Sequence, residues 1–402
     1  MMKKYKFIGL FFATFACHCT SLTQDPAYYD PPPLATHFNG EHFVGSESCI
    51  ECHAEIYASH LQSAHYRTSQ PPSEENIKGS FEPGSNRLEL ENVAFEMTHQ
   101  EGTFYQHTII EDMTQPIPPQ TFDIVIGSGI KGQSYLSWDN DYLFQLQVSY
   151  YPPTNSWINS PGFPSTPIKR PVRDGCLKCH VSFATNRDFS GQGNQYDKEK
   201  IVYRVDCERC HNPAMTHVTH HRSHPDIDSP TFILTFDTLS RQQRLDACAQ
   251  CHSGPRAGII KGNSFSYLVG ETLADYSRNF HTGQKDHELD VHGNQYGLLR
   301  SSTCFQQSPQ MDCMTCHDPH SNQRGDIAHF NHRCIECHGA HAISCTADAS
   351  DKQSMKNSCI ACHMPNTPSK SMSVQLDQDS LETPVYIRTH LIDIYPKESW
   401  HH

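Results

Sequence analysis

The chain has 402 residues, with 18 Cys, 28 His, 26 Pro and 3 Trp, and only 36% of it is hydrophobic. A soluble domain is roughly 45–50% apolar, so side chains alone do not fill a core of this size, yet 10% aromatic and 19% charged residues exclude a disordered chain. The net charge of −13, with no long basic run, excludes capture of nucleic acid and favours small molecules or basic protein patches as partners.

Residues 1–19 read as an export signal. Lys3, Lys4 and Lys6 precede a short apolar run from Phe7 to Ala16, too short to span a bilayer. The run ends at Thr14-Phe15-Ala16-Cys17, close to a bacterial lipobox, with Thr14 where Leu is usual. Two readings stay open: a lipid anchor at Cys17, or simple periplasmic secretion. Residues 20–40, with Pro26 and Pro31-Pro32-Pro33, read as a tether.

Residues 41–75 contain the first of seven copies of Cys-x-x-Cys-His. This copy is Cys49, Cys52 and His53. The others are Cys176, Cys179 and His180; Cys207, Cys210 and His211; Cys248, Cys251 and His252; Cys313, Cys316 and His317; Cys334, Cys337 and His338; Cys359, Cys362 and His363. The pattern is the attachment signal for c-type haem. Two thiols add across the porphyrin vinyl groups, and the next His supplies the proximal imidazole to iron. A zinc knuckle or a thioredoxin-like pair explains one Cys-x-x-Cys but not seven followed by His behind an export signal. Seven covalently attached haem c groups, about one per 57 residues, then replace the missing apolar core. Such a chain is expected to be largely unfolded without them.

Residues 76–175 form a haem-free insert. Leu88-Glu-Leu90, Phe104-Tyr105, Phe122 to Ile126 and Tyr142 to Val148 alternate in strand fashion, which predicts a small antiparallel β unit. Within it, Gly127-Ser-Gly129-Ile-Lys-Gly132 is formally G-x-G-x-x-G. A strand-like run follows where a dinucleotide site needs a helix, so it reads as a glycine turn. Residues 176–260 carry three haem motifs, 261–312 are connecting loops, and 313–402 carry three motifs and a tail. In that tail, Thr383 to Tyr395 reads as a strand returning to the haems. The expected fold is mainly α and irregular, wrapped around stacked haems.

A low-spin electron-transfer haem needs a sixth ligand, and 21 histidines remain after the seven proximal ones. His320 lies three residues past His317, too close for the same iron, and would serve a neighbour. His65, His217 and His390 are further candidates, with His292 and His341 behind them. His217, His220, His221 and His224 share helical spacing, which suits one haem ligand among solvated imidazoles, or a zinc or copper site. Cys304 and Cys345 match no motif and would either pair as a disulfide or stay as thiols.

The chain also resembles exported multihaem c-type cytochromes of the nitrifier tetrahaem cytochrome and hydroxylamine-oxidoreductase-like superfamily, over about residues 43–395. The resemblance rests on Phe43 to His53 followed by Ser63-Ala-His65, Val205 to Pro213, Asp246 to His252, Met311 to His320, and Cys359 to Pro365. It implies mostly bis-His haems in close stacks, with His65, His217, His320 and His390 as distal ligands. The Cys-x-x-Cys-Lys haem of pentahaem nitrite reductase is absent, as are tetratricopeptide repeats. The expected function is electron transfer in an exported respiratory chain, between redox proteins that include a membrane quinol oxidoreductase. The alternative is an oxidoreductase acting on a small nitrogen or sulfur compound at one haem with an open sixth position.

Overall fold

The computed structural model describes residues 33–111, 113, 115–254, 257–279, 289–339, 345, 347–354, 358–376 and 382–399. The export signal, Cys17, the start of the tether and His341 lie outside them.

Strands β1 (Ala35–Thr36) and β2 (His42–Phe43) form a short ribbon. The chain then enters a strand-rich region that begins at β3 (Ser69–Gln70). Strands β4 (Arg87–Leu90), β5 (Val93–Gln100), β6 (Thr103–Ile109) and β7 (Gln120–Thr121) form a four-stranded antiparallel sheet in sequence order. A six-stranded sheet takes β8 (Ile124–Ile126), β9 (Gln133–Asp139), β10 (Tyr142–Tyr151), β11 (Ser156–Asn159) and β12 (Arg170–Pro171) together with β3. Its order is β11-β10-β9-β8-β3, with β12 also on β10.

Period-two alternation sets which side chains these sheets bury. Leu88 and Leu90, Val93, Phe95 and Met97, then Tyr135, Leu146 and Trp157 meet in one apolar core. The β5–β6 hairpin turns on Glu101 and Gly102, both left-handed at φ 50° and 78°, as a two-residue connection matched to strand twist requires. Gly127 to Gly132 links β8 to β9. A Cβ at Gly129 (φ +76°) would stand 2.5 Å from Lys78 Cγ, so the segment is a tight strand-to-strand turn. A second core joins this sheet to the next part of the chain through Ile124, Leu143, Leu177, Val181, Phe183 and Tyr196.

The motif-bearing segments add helices α1 (Ile50–His60), α2 (Asp174–Leu177), α3 (Cys207–His211), α4 (Met215–Ser223) and α5 (Arg241–His252). Helices α6 (Gln295–Ser301), α7 (Thr303–Gln306), α8 (Ile327–His338), α9 (Ala349–Ser354) and α10 (Cys359–His363) follow. Ribbons β13 (Val181–Phe183) with β14 (Val202–Tyr203), and β15 (Ala257–Ile259) with β16 (Ser277–Asn279), lie between them. The tail strand is β18 (Thr383–Arg388), which returns antiparallel to β17 (Asn366–Val374).

The expectation of a mainly α chain is corrected: about 27% is helical and 25% is strand. The reason is local. A Cys-x-x-Cys-His motif needs only one helical turn, so α2, α3 and α10 are four or five residues long. Between them the backbone satisfies its hydrogen bonds in ribbons rather than long helices. Among the described residues no helix is long and apolar enough to cross a membrane.

Candidate functional site

The motifs sit on helical turns. Residues i, i+3 and i+4 share one helix face, so the spacing places both thiols and the imidazole on the same side. Two of the motif turns are capped by an Asp, Asp206 accepting from Cys207 N and Asp312 from Met314 N, each at 2.9 Å, while Asp326, accepting from His329 N at 2.9 Å, caps the start of α8, which carries the sixth motif at its other end. Asp312 also pairs with Arg244 Nε at 2.6 Å, tying α5 and the fourth motif to the fifth. Asn331 on α8 accepts from Cys359 N at 2.9 Å, tying the sixth motif to the seventh.

Thiols of different motifs meet. Cys207 lies against Cys49, Cys251 against Cys179, Cys248 against Cys313, and Cys334 against Cys359. Cys210 is near both Cys248 and Cys251, and Cys316 is near Cys334 and Cys337. The motifs therefore touch in the order first, third, fourth, fifth, sixth, seventh. The second lies beside the third and fourth, where Arg209 also donates to Lys178 O at 3.0 Å. Cys304 lies near Cys316 and Cys337 while Cys345 is near Cys362, and the two are not disulfide-linked.

Histidines from distant segments also face each other. The ring centres of His211 and His320 are 6.1 Å apart with planes at 10°, those of His317 and His390 6.2 Å apart at 29°, and those of His65 and His252 6.3 Å apart at 70°. Two imidazoles opposed across one first-row metal, at about 2 Å per bond, put their ring centres roughly 6 Å apart. His217 lies near His53, and His292 near His180. His338 is exposed at the end of α8, and its expected partner His341 is outside the described residues.

The hydrogen-bond pattern fits iron ligation. His211 Nδ1 bonds Leu234 O, His217 Nδ1 bonds Thr231 O, and His363 Nδ1 bonds Asp393 O, each at 2.8 Å. A carbonyl can only accept, so Nδ1 carries the proton and Nε2 keeps its lone pair for a metal. Burial pushes His65, His180 and His390 down to about 4, helped for His65 by His252 and for His390 by His317. These rings are neutral at pH 7, as ligation requires. Nδ1 of both His180 and His390 is buried without a well-formed hydrogen bond. Of the His217, His220, His221 and His224 group, His220 and His224 stack at 4.6 Å, and the described residues contain no cluster of three groups able to hold a metal ion.

Sequence reasoning missed His60, whose ring centre is 6.5 Å from that of His320. Its Nε2 is 3.3 Å from Asp206 Oδ1, and Ser46 donates to the other carboxylate oxygen. Burial alone would raise the Asp206 pKa, but bonds from His60, Ser46 and Cys207 N hold it below its usual value. A depressed acid stabilises the fold above its unfolded pKa, and that stability is lost as pH falls through its folded value. Asp206→Asn is therefore expected to flatten the acid limb of the unfolding profile, read by melting temperature between pH 7 and pH 3.

Next to it, the buried carboxylate of Glu208 accepts from Val44 N, Gly45 N and Ala214 N at 3.0, 2.8 and 2.8 Å. It clamps the N-terminal strand to the third motif. Glu208→Ala strands three buried N–H groups at about 1–3 kcal/mol each, so thermal unfolding should show a loss of several kcal/mol. Glu208→Gln should recover part of it; equal stability of all three proteins would refute the clamp.

No protein-family model matches the chain, and no curated protein matches it in sequence. A solved structure does: the outer cell wall cytochrome OcwA superposes with a TM-score of 0.56 at 15% identity, covering 87% of this chain and 79% of that one. The chain has a multihaem cytochrome-like fold. An undecahaem cytochrome from the S-layer of Carboxydothermus ferrireducens matches more loosely, with a TM-score of 0.40 at 17% identity, covering 86% of this chain and 54% of that one.

Proposed function

We propose that the chain is an exported c-type cytochrome that binds seven haems and carries electrons along them, with its affinity to the hydroxylamine-oxidoreductase-like superfamily as the evolutionary reading. The observation that carries it is the set of three facing imidazole pairs at 6.1–6.3 Å, each joining a motif His to one outside any motif. Bound haem supplies one-electron iron chemistry whose potential follows axial ligation, burial and nearby charge. The chain's own residues would hold it: fourteen motif thiols by thioether bonds, and His252 with His65, His211 with His320, His317 with His390, His53 with His217, and His180 with His292 as the imidazoles for its iron. The order in which motif thiols touch supports a continuous path from the first motif to the seventh, with the second as a branch.

The test is direct. The protein matured with haem should give seven haems per chain by pyridine haemochrome, and its ferric iron should be predominantly low-spin. Fewer haems would overturn the count, and a high-spin iron that binds nitrite or carbon monoxide would instead support the oxidoreductase reading. Because the surface is acidic, negative charge favours the ferric state and several potentials should fall below zero. A titration with every haem well above zero would contradict that expectation.

A further inference from the structure

His211 and His217 belong to different proposed haems, yet one short segment holds both. Thr231 O accepts from His217 Nδ1 and Leu234 O accepts from His211 Nδ1, each at 2.8 Å. Between them Phe232 is left-handed, at φ 58°, and its side chain is 59% exposed. A bulky residue is strained in that conformation and keeps it only where the surroundings impose it. The surroundings do so here. Ile233 packs against Val44, Ala214 and Val218, while Leu234 packs against the core of Leu239, Tyr267 and Val269. The Phe232 ring lies edge-on to His220 at 5.1 Å, and Thr231 N reaches His221 Nε2 at 3.4 Å. The left-handed residue turns the chain so that two carbonyls three residues apart reach two imidazoles while the side chains between them anchor in separate clusters.

We infer that Thr231–Leu234 is a positioning strap shared by two haem sites, fixing the Nδ1–H tautomer and ring orientation of His211 and His217 together. This rests on the ligand roles proposed above for those two histidines. An imidazole whose Nδ1–H is held by a carbonyl is a more basic ligand with a set orientation, and a more basic ligand favours the ferric state. The first and third haems then share one determinant of potential in a single backbone conformation, although their motifs are far apart in sequence.

The test compares Phe232→Val with Phe232→Gly in the haem-loaded protein. Valine, branched at Cβ, resists the left-handed region, whereas glycine adopts it freely. Both remove the same exposed ring. Electron paramagnetic resonance and a spectroelectrochemical titration are the readouts. Phe232→Val should move the signals of two haems of the seven and raise both potentials, leaving five unchanged, and Phe232→Gly should leave all seven in place. Unmoved signals in Phe232→Val, movement of one haem alone, or equal effects of the two variants would overturn the shared strap. Pyridine haemochrome on the unmutated protein separates the two failures: a count below seven overturns the haem assignment, whereas seven haems with unmoved signals overturn only the strap.

Discussion

Replacement of Cys248 and Cys251 by alanine is expected to abolish accumulation of folded protein, whereas replacement of Cys359 and Cys362 should yield a stable chain with one haem fewer. The difference follows from how the motifs touch. The fourth motif meets the second through Cys179, the fifth through Cys313 and the third through Cys210, and its His252 faces His65 from the first segment. A missing haem there leaves a void bordered by four other segments. Core voids cost roughly 24 cal/mol per Å³ beyond the lost transfer energy, so a hole the size of a porphyrin exceeds the 5–15 kcal/mol that holds a domain together. Among the described residues the thiols of the seventh motif lie near Cys334 of the sixth and near Cys345, and the motif also bonds the chain's own tail at Arg388 and Asp393, at the end of the contact path. Haem-stained gels and intact mass decide the matter, and a soluble six-haem protein from the Cys248/Cys251 variant would refute this order of contacts.

His320→Ala is expected to turn one iron of the seven high-spin and open it to carbon monoxide, with the other six unchanged. His320→Met should keep that iron low-spin and raise its potential, because a thioether ligand favours the ferrous state. Of the three facing imidazole pairs, this one has the most nearly parallel rings. His320 stands 6.1 Å from His211 with ring planes at 10°, and its backbone N is fixed by Asp318 Oδ1 at 2.9 Å. Low-temperature electron paramagnetic resonance with a carbon monoxide titration measures both effects. A high-spin fraction of zero would show that His320 does not reach the iron of the third motif.

The Cys-x-x-Cys-His motifs and the strand character of residues 76–175 were legible because both depend on short-range periodicity. Cys-x-x-Cys-His spans a single helical turn, and Leu88-Glu-Leu90 alternates as a half-buried strand must, with both leucines buried and Glu89 exposed. The balance of helix and strand was misread for a related reason. A motif indicates one turn and says nothing about whether helix continues beyond it, and the ribbon of β13 with β14 pairs residues about twenty positions apart, across an irregular stretch with no strand periodicity. His65, His217, His320 and His390 stood out by their proximity to motifs or to the tail strand, but the irons they would serve did not. His60 gave no signal, because its place beside Asp206 and His320 depends on three segments meeting.

Read alone, the amino-acid sequence determined how many Cys-x-x-Cys-His motifs there are and where each lies, because two thiols and an imidazole are brought to one side by the helix repeat itself. It also determined that the interior had to be filled by something other than aliphatic side chains. The tertiary structure decided which imidazole faces which, in what order the motifs meet, and which carbonyls bond the Nδ1 of His211 and His217. Those contacts join His65 to His252 and His317 to His390 across the length of the chain. Side chains brought together only by the packing of distant segments leave no periodic trace in sequence, and backbone carbonyls such as those of Thr231 and Leu234 carry no residue identity to read.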